Sequence, residues 1–223
     1  RVLFMGRYGD SYSIKMYNFL VKNFYKVTVY WCKGITHSPN KFIKKKWKGD
    51  FILCFRSYYV LNQKLISRAK IAAINFHPGL PSNRGIGCVN FALLNNKKIY
   101  GSTAHLISKS VDSGKILDVS KFKIKANDNV ESVLEKTYKI QTKQFFKLIK
   151  FLNKNQEKLN ILILKNKNKK WAKWKSNRKQ LNQLYEINHN IKKFKLNRII
   201  RATETKKFHP FIKLFGKKFI YHA

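Results

Sequence analysis

Acidic residues are scarce in this chain. Ten Asp and Glu stand against 48 Lys and Arg in 223 residues, for a formal net charge of +38. Such an imbalance is either a tool for an anionic partner or a bias of composition. A nucleic-acid groove would gather its cations on one face with interleaved aromatics. Here Lys, Asn and Ile are spread through every segment, so we read the charge as compositional. A small anionic substrate would still benefit from it, and no nucleic-acid partner is expected. Cysteine is scarce too. Cys32, Cys54 and Cys88 are odd in number, widely spaced and without metal-ligand pattern, which argues against a disulfide framework and a zinc site. They read as core thiols in a reducing compartment, so a cytoplasmic location and no metal are expected. No apolar run reaches the roughly 18 residues of a membrane helix. The opening Arg1-Val2-Leu3-Phe4-Met5 reads as a strand and lacks the longer apolar region of a signal peptide; whether residues precede Arg1 is left open. Proline occurs four times, and two of the four, Pro78 and Pro81, fall in one turn.

What is present is a globular pattern. A hydrophobic fraction of 44% with 17 Phe suits a folded enzyme with one good core and a small appendage. Val2–Met5 reads as a first strand and Gly6–Asp10 as a turn. A helix follows from Ser11, with Ile14, Tyr17, Leu20, Val21 and Phe24 at helical spacing. Residues 26–32 form a second strand. This is a Rossmann-like half, but its turn lacks the third glycine of a dinucleotide fingerprint. Residues 33–49 are a basic connection, read as a solvated loop or helix face. Further strands are expected at Phe51–Phe55, from Ile71, at Ile99–Ile107 and at Lys115–Ile124. Helices are expected at Cys88–Leu94 and after Asn127-Asp128, which with Glu131 suggests a capping box. The fold class is therefore α/β, a Rossmann-like and mostly parallel sheet with flanking helices. Residues 1–157 are expected to form the catalytic domain and 158–223 a small C-terminal subdomain. The latter should hold a short strand at Leu159–Leu164, a basic linker over 165–170, helices at Arg178–Tyr185 and ending at Arg201-Ala202-Thr203, and a β-hairpin turning at Phe215-Gly216.

Chemistry gathers in Ile71–Ile116. Asn75 and His77 are two apart, so an extended backbone points both the same way. The turn after them places the pair at a strand's carboxyl end, where open α/β sheets bind ligands. Asp112 lies on a second turn, Asp112-Ser113-Gly114, and in a chain with so few carboxylates it stands out. Each residue alone has an ordinary structural explanation. An Asn before a Pro-Gly turn is usually a turn residue, a lone His is usually structural, and Asp-x-Gly is a common turn. Together they offer a proton shuttle, a hydrogen-bond donor for an oxyanion and a carboxylate to tune the shuttle. An unperturbed imidazole titrates near neutrality, so His77 suits a proton shuttle. The Asn75 amide suits an oxyanion, a donor worth about 3 kcal/mol in measured cases. Asp112 can tune His77 directly or through a water. His105, on the strand leading to the Asp112 turn, is read as core-facing or one layer behind the site. Arg84 either binds an anionic substrate or braces its glycine-rich loop. The polar end of the third strand, Arg56-Ser57-Tyr58-Tyr59, either lines a pocket or packs at a helix start.

The segment Asn75-Phe76-His77-Pro78-Gly79-Leu80-Pro81-Ser82-Asn83-Arg84-Gly85, followed by Asp112-Ser113-Gly114-Lys115-Ile116, resembles the two motifs of the folate-dependent formyltransferases. The loop between Gly79 and Arg84 is one residue shorter than in that family's pattern. The resemblance implies N10-formyltetrahydrofolate as donor, no metal, and catalysis by Asn75, His77 and Asp112. It implies donor contacts at Arg56, Ser57, Leu80, Ile107 and Val111, and acceptor contacts at Arg84, Gly85 and Tyr58. The chain lacks the Gly-Asn-Gly-Ser phosphate loop of the glycinamide ribonucleotide enzymes. Its tail, with Arg201-Ala202-Thr203 and the hairpin, looks like that of relatives acting on sugars. A nucleotide-linked amino sugar is therefore the expected acceptor, typically destined for surface polysaccharide. A homodimer is a further expectation. Two alternatives are a methionyl-tRNA formyltransferase-like enzyme, whose extra C-terminal barrel the tail looks too short to hold, and a non-catalytic nucleic-acid-binding module on the same fold. The last would betray itself by a steep salt dependence of RNA binding.

Overall fold

The computed structural model describes residues 1–152 and 155–222. Strand β1 (Val2–Arg7) leads to helix α1 (Ser11–Asn23), β2 (Val27–Cys32), α2 (Lys41–Lys45), β3 (Gly49–Phe55), α3 (Gln63–Ile66) and β4 (Ala69–His77). Then come α4 (Cys88–Leu94), β5 (Ile99–Leu106), β6 (Ile116–Lys123) and the long α5 (Val130–Leu152). The chain ends with α6 (Gln156–Lys165), α7 (Arg178–Tyr185), α8 (Lys193–Thr203), β7 (Phe211–Leu214) and β8 (Lys217–Ile220). Six strands form one sheet in the order β2-β1-β3-β4-β5-β6. The β1/β2, β1/β3 and β3/β4 pairs are parallel and β4/β5 is antiparallel. Among the described residues no helix is long and apolar enough to cross a membrane.

The chain divides into two compact units, neither of them a continuous piece of sequence. The first comprises Arg1–His77, Ser102–Ser120 and Ile140–Trp171; the second comprises Pro78–Gly101, Lys121–Lys139 and Ala172–Ala223. In the first unit the sheet buries both faces, which is why β1 and β3 read as unbroken apolar runs. Val2, Phe4, Phe51, Leu53, Phe55, Ile74 and Phe76 enter one core, covered by Phe145, Leu148, Ile149 and Leu152 of α5. Leu3, Met5, Ile52, Cys54 and Ala73 enter the core on the opposite face. Asp10 caps α1 by accepting from the Ser13 backbone at 2.8 Å. The basic connection holds α2, whose Ile43 is buried while its lysines face solvent. Cys32, Cys54 and Cys88 are all buried and free; burial pushes the Cys54 thiol up to about 12.

The stretch expected as a strand at Leu159–Leu164 is helical. A short apolar run does not distinguish the two conformations. Here Leu159, Leu162 and Ile163, at helical spacing, pack on the first core. Asn155 caps the helix by accepting from the Glu157 and Lys158 backbones at 2.8 and 3.3 Å. The basic segment that follows is fastened at buried Asn166, whose Nδ2 donates to the Leu117 carbonyl at 2.7 Å.

The second unit has its own core, of Val89, Ala92, Leu93, Tyr100, Val130, Val133 and Ala202. The cap of α5 differs from the expected box. Asn129 and Ser132 exchange backbone-to-side-chain bonds at 2.9 and 3.1 Å, while Glu131 accepts from the Lys206 backbone. Asp128 instead anchors the loop before the helix. Burial pushes its carboxyl up, but Lys136, the Lys125 backbone and Ser132 together hold it below its ordinary value. The tail hairpin matches its expected turn: Phe215 and Gly216 both have left-handed φ, 48° and 75°, as a two-residue primed turn requires.

A group held below its ordinary pKa stabilises the fold above that value and loses the contribution as pH falls through its folded pKa. Lys136→Met should therefore destabilise the protein by about 1–2 kcal/mol at pH 7. Thermal melts against pH should show that gap shrinking as pH falls below 3.8, the ordinary value for Asp128. A gap independent of pH would mean that Lys136 acts by packing alone.

Candidate active site

Strand alternation decides which way the polar residues of β4 point. Ile74 and Phe76 enter one core, so Asn75 and His77 take the other face, with Ala73. On β5 the same rule holds, with Ala104 and Leu106 on the first face and Ile107 just beyond the strand on the second. His105 therefore shares a face with Asn75, and the antiparallel register sets the two directly opposite, as it sets His77 opposite Thr103.

Asp112 reaches the same place from the turn after β5. It has a left-handed φ of 52°, which Asp tolerates better than most residues. Gly114 makes the turn possible, since a Cβ there would stand 1.8 Å from the Leu106 carbonyl oxygen. The result is a buried cluster: His77, His105 and Asp112 are 4, 2 and 5% exposed. His77 Nδ1 lies 3.4 Å from Asp112 Oδ1, and His105 Nε2 lies 3.7 Å from the same oxygen. Asn75 Nδ2 is 3.1 Å from His105 Nε2. Asn75, His77 and Asp112 thus converge, with His105 as the link between Asn75 and Asp112.

The layer beneath is polar as well. Gln141 on α5 donates to the Phe76 carbonyl at 2.9 Å. Gln144 donates to Asp118 at 2.7 Å and accepts from Ser102 Oγ at 2.8 Å; the same hydroxyl lies 3.2 Å from the His77 carbonyl. Trp171, which carried no role in the sequence reading, stands edge-on to both imidazoles. Its ring centroid is 5.7 Å from that of His77 and 4.9 Å from that of His105. Its indole N–H donates to the Gly114 carbonyl at 2.8 Å.

The expected binding residues divide between the units. In the first, Arg56 has a left-handed φ of 57° and ion-pairs with Asp10, the cap of α1. Ser57 Oγ accepts from the Tyr59 backbone. Tyr58 is 39% exposed beneath the Arg7 guanidinium. The Ile107 backbone donates to Ala73, and Val111 is exposed. In the second unit the Leu80 carbonyl accepts from Asn83. Arg84 donates to the Ala172 carbonyl at 2.7 Å. Gly85 bridges to Ser176, where a Cβ would stand 2.1 Å from the Ser176 carbonyl oxygen. Both therefore fasten their loop to residues 172–176. Among the described residues no group of three or more His, Cys, Asp and Glu is arranged to hold a metal.

A Rossmann-like sheet with Asn, His and Asp gathered at one strand end defines an α/β protein with a polar cluster at the edge of its sheet. The chain belongs to the formyl transferase family, which matches residues 38–149. Among curated relatives, it is 30% identical over 113 residues to a bifunctional polymyxin resistance protein ArnA from Wigglesworthia glossinidia brevipalpis. That match covers 50% of this chain and 17% of the relative. It is 32% identical over 100 residues to a methionyl-tRNA formyltransferase from Mycoplasmopsis pulmonis, over 44% of this chain and 35% of the other. The chain thus spans about a third or less of these relatives. Its fold is that of a 4-N formyltransferase from Francisella tularensis, with TM-score 0.74 and 18% identity over 100% of this chain and 97% of the other. It is also that of an N-formyltransferase from Helicobacter canadensis solved with folinic acid and dTDP-3-aminofucose, with TM-score 0.71 and 18% identity over 97% and 85%.

Gly114→Ala should force the Asp112 turn off Leu106 and cost about 2–4 kcal/mol. Chemical denaturation would measure it. A loss below about 0.5 kcal/mol would show that the turn relaxes without cost, and that its glycine does not position Asp112.

Proposed function

We propose that this protein is an N-formyltransferase that moves a formyl group from N10-formyltetrahydrofolate to the amino group of a nucleotide-linked amino sugar. The observation that carries the reading is the convergence of Asn75 with buried His77 and Asp112 at the end of β4. The donor substrate supplies the formyl carbon. As the acceptor nitrogen bonds to that carbon, the carbon–N10 bond breaks, the amine gives up a proton and N10 gains one. Asp112 accepts from His77 Nδ1–H, which leaves the Nε2 lone pair to take the amine proton and return it to N10. The Asn75 amide faces the formyl oxygen as negative charge builds on it. Burial of the cluster strengthens each of these interactions relative to water.

The sugar acceptor is favoured by likeness of fold: a sugar N-formyltransferase structure from Shewanella aligns along 100% of this chain and 96% of its own. The Helicobacter relative's ligands are of the proposed classes. The excess of cations suits a nucleoside diphosphate, for which two or three donors suffice. Ser57, Tyr58, Ile107 and Val111, beside the first unit's strand ends, are proposed as substrate contacts. We also place the protein in the cytoplasm, where its three free thiols fit, and propose a homodimer. The hairpin supports the latter, since Leu214, Phe215, Phe219 and Ile220 are exposed there.

Incubation with formyl-folate and a panel of nucleotide-linked amino sugars, alongside charged initiator tRNA, should give a formyl mass shift on a sugar. Formylation of the tRNA with every sugar inert would overturn the choice of acceptor. His77→Ala and Asp112→Ala should each lower turnover at least about a hundredfold while the fold is retained. Full activity in folded His77→Ala would remove the shuttle.

A further inference from the structure

We propose that His105 is the positioning residue for the Asn75 amide: it fixes which way the donor nitrogen points, and Trp171 fixes His105. The argument starts at the far side of the imidazole. His105 Nδ1 lies 2.8 Å from the Leu106 carbonyl oxygen. A carbonyl only accepts, so Nδ1 carries the proton. In the neutral ring Nε2 is then a lone pair, and that lone pair lies 3.1 Å from Asn75 Nδ2.

An Asn amide has two ends that are nearly the same shape and opposite in hydrogen-bonding sense. With the NH2 toward His105, one N–H is satisfied and the second is left for an oxyanion. With the amide turned over, Asn75 Oδ1 would meet the lone pair of Nε2, acceptor against acceptor. Neutral His105 therefore selects the orientation in which Asn75 is a donor. Protonated His105 would reverse the preference by offering Nε2–H to Asn75 Oδ1 or to Asp112 Oδ1, 3.7 Å away. The ionisable groups gathered here are Asp112 and, across it, His77; Asn75 and Trp171 are uncharged. Trp171 contacts His105 at an interplanar angle of 84°, and its N–H on Gly114 fastens it to the Asp112 turn. The imidazole is thus held in plane by an aromatic edge and in tautomer by a carbonyl.

This deepens the proposed formyl transfer, so one arm of the test is independent of it. Nitrogen-15 NMR of the uniformly labelled protein, without substrates, should show the His105 ring proton on Nδ1. The Asn75 side-chain amide signal should move in His105→Leu. An Nε2–H tautomer, or an unmoved Asn75 signal, would overturn the proposal whatever the protein's reaction. The kinetic arm uses formyl-folate and the acceptor found active. His105→Leu should lower kcat about 10- to 100-fold, less than complete loss of an oxyanion donor, with both KM values within about threefold. His105→Gln, which keeps an acceptor near the Nε2 position, should recover kcat to within about fivefold of the parent. In an Asn75→Ala background, His105→Leu should cost no more than about a further twofold, because the partner it orients is gone. Equal losses in both backgrounds, or a Gln variant as impaired as the Leu variant, would assign His105 a purely structural role and overturn the proposal. If the parent transfers no formyl group to any acceptor, the proposed function fails and the NMR arm alone decides on His105.

Discussion

The antiparallel pairing of β4 with β5 is the constraint on which the site depends. Side chains alternate across a sheet, so a slip of one residue would send the whole polar set to the other face. In the observed register Asn75 meets His105 on the face opposite the Phe-rich core. One step away, Asn75 would be forced against Phe145 and its neighbours, and Phe76 would occupy the polar face. The large energetic preference for burying Phe76 and Ile74 with Phe145 therefore also orients Asn75 and His77. A hydrophobic choice on one side of the sheet fixes the geometry of the polar cluster on the other.

Polar groups buried around this register need partners, and α5 supplies them. A buried donor or acceptor left unpaired costs about 1–3 kcal/mol. Gln144, Ser102 and Asp118 form a connected set beneath β4 and β5, with Ser102 on the His77 carbonyl, and Gln141 separately holds the Phe76 carbonyl. The end of β4 is therefore held from both sides. Its backbone is tied to α5, and its imidazole is edged by Trp171 and faced by Asp112.

Much of this was legible in the sequence, for identifiable reasons. The short apolar strand runs, the Pro-Gly turn after His77 and the Phe215-Gly216 hairpin all carry local signals stronger than their surroundings. The pairing of Asn75 with His77 on one face followed from a spacing of two. What was illegible depended on distant chain. Leu159–Leu164 offered an apolar run without a period, and only its packing on the sheet settled it as a helix; the Asn155 cap was the overlooked hint. The cap at Asn129 was hidden among three neighbouring polar residues, any of which could serve. His105 was visible on its strand, but its bond to Asn75 required a register that no local pattern specifies. Trp171 gave no signal at all, because its partner Gly114 and the two histidines come from other parts of the chain.

The order in which these residues occur has a consequence for synthesis. Asn75 and His77 leave the ribosome first, His105 and Asp112 follow, and Trp171 comes last, after the whole of α5 and α6. Until it arrives, the Gly114 carbonyl lacks its indole donor and the two imidazoles lack their aromatic edge. The sheet can pair early from contacts close in sequence, but closing the site means bridging a long loop of chain, which is slow and entropically costly. Assembly of the cluster is thus coupled to translation through Trp171, and a nascent chain that stalls within α5 carries Asn75, His77, His105 and Asp112 without Trp171.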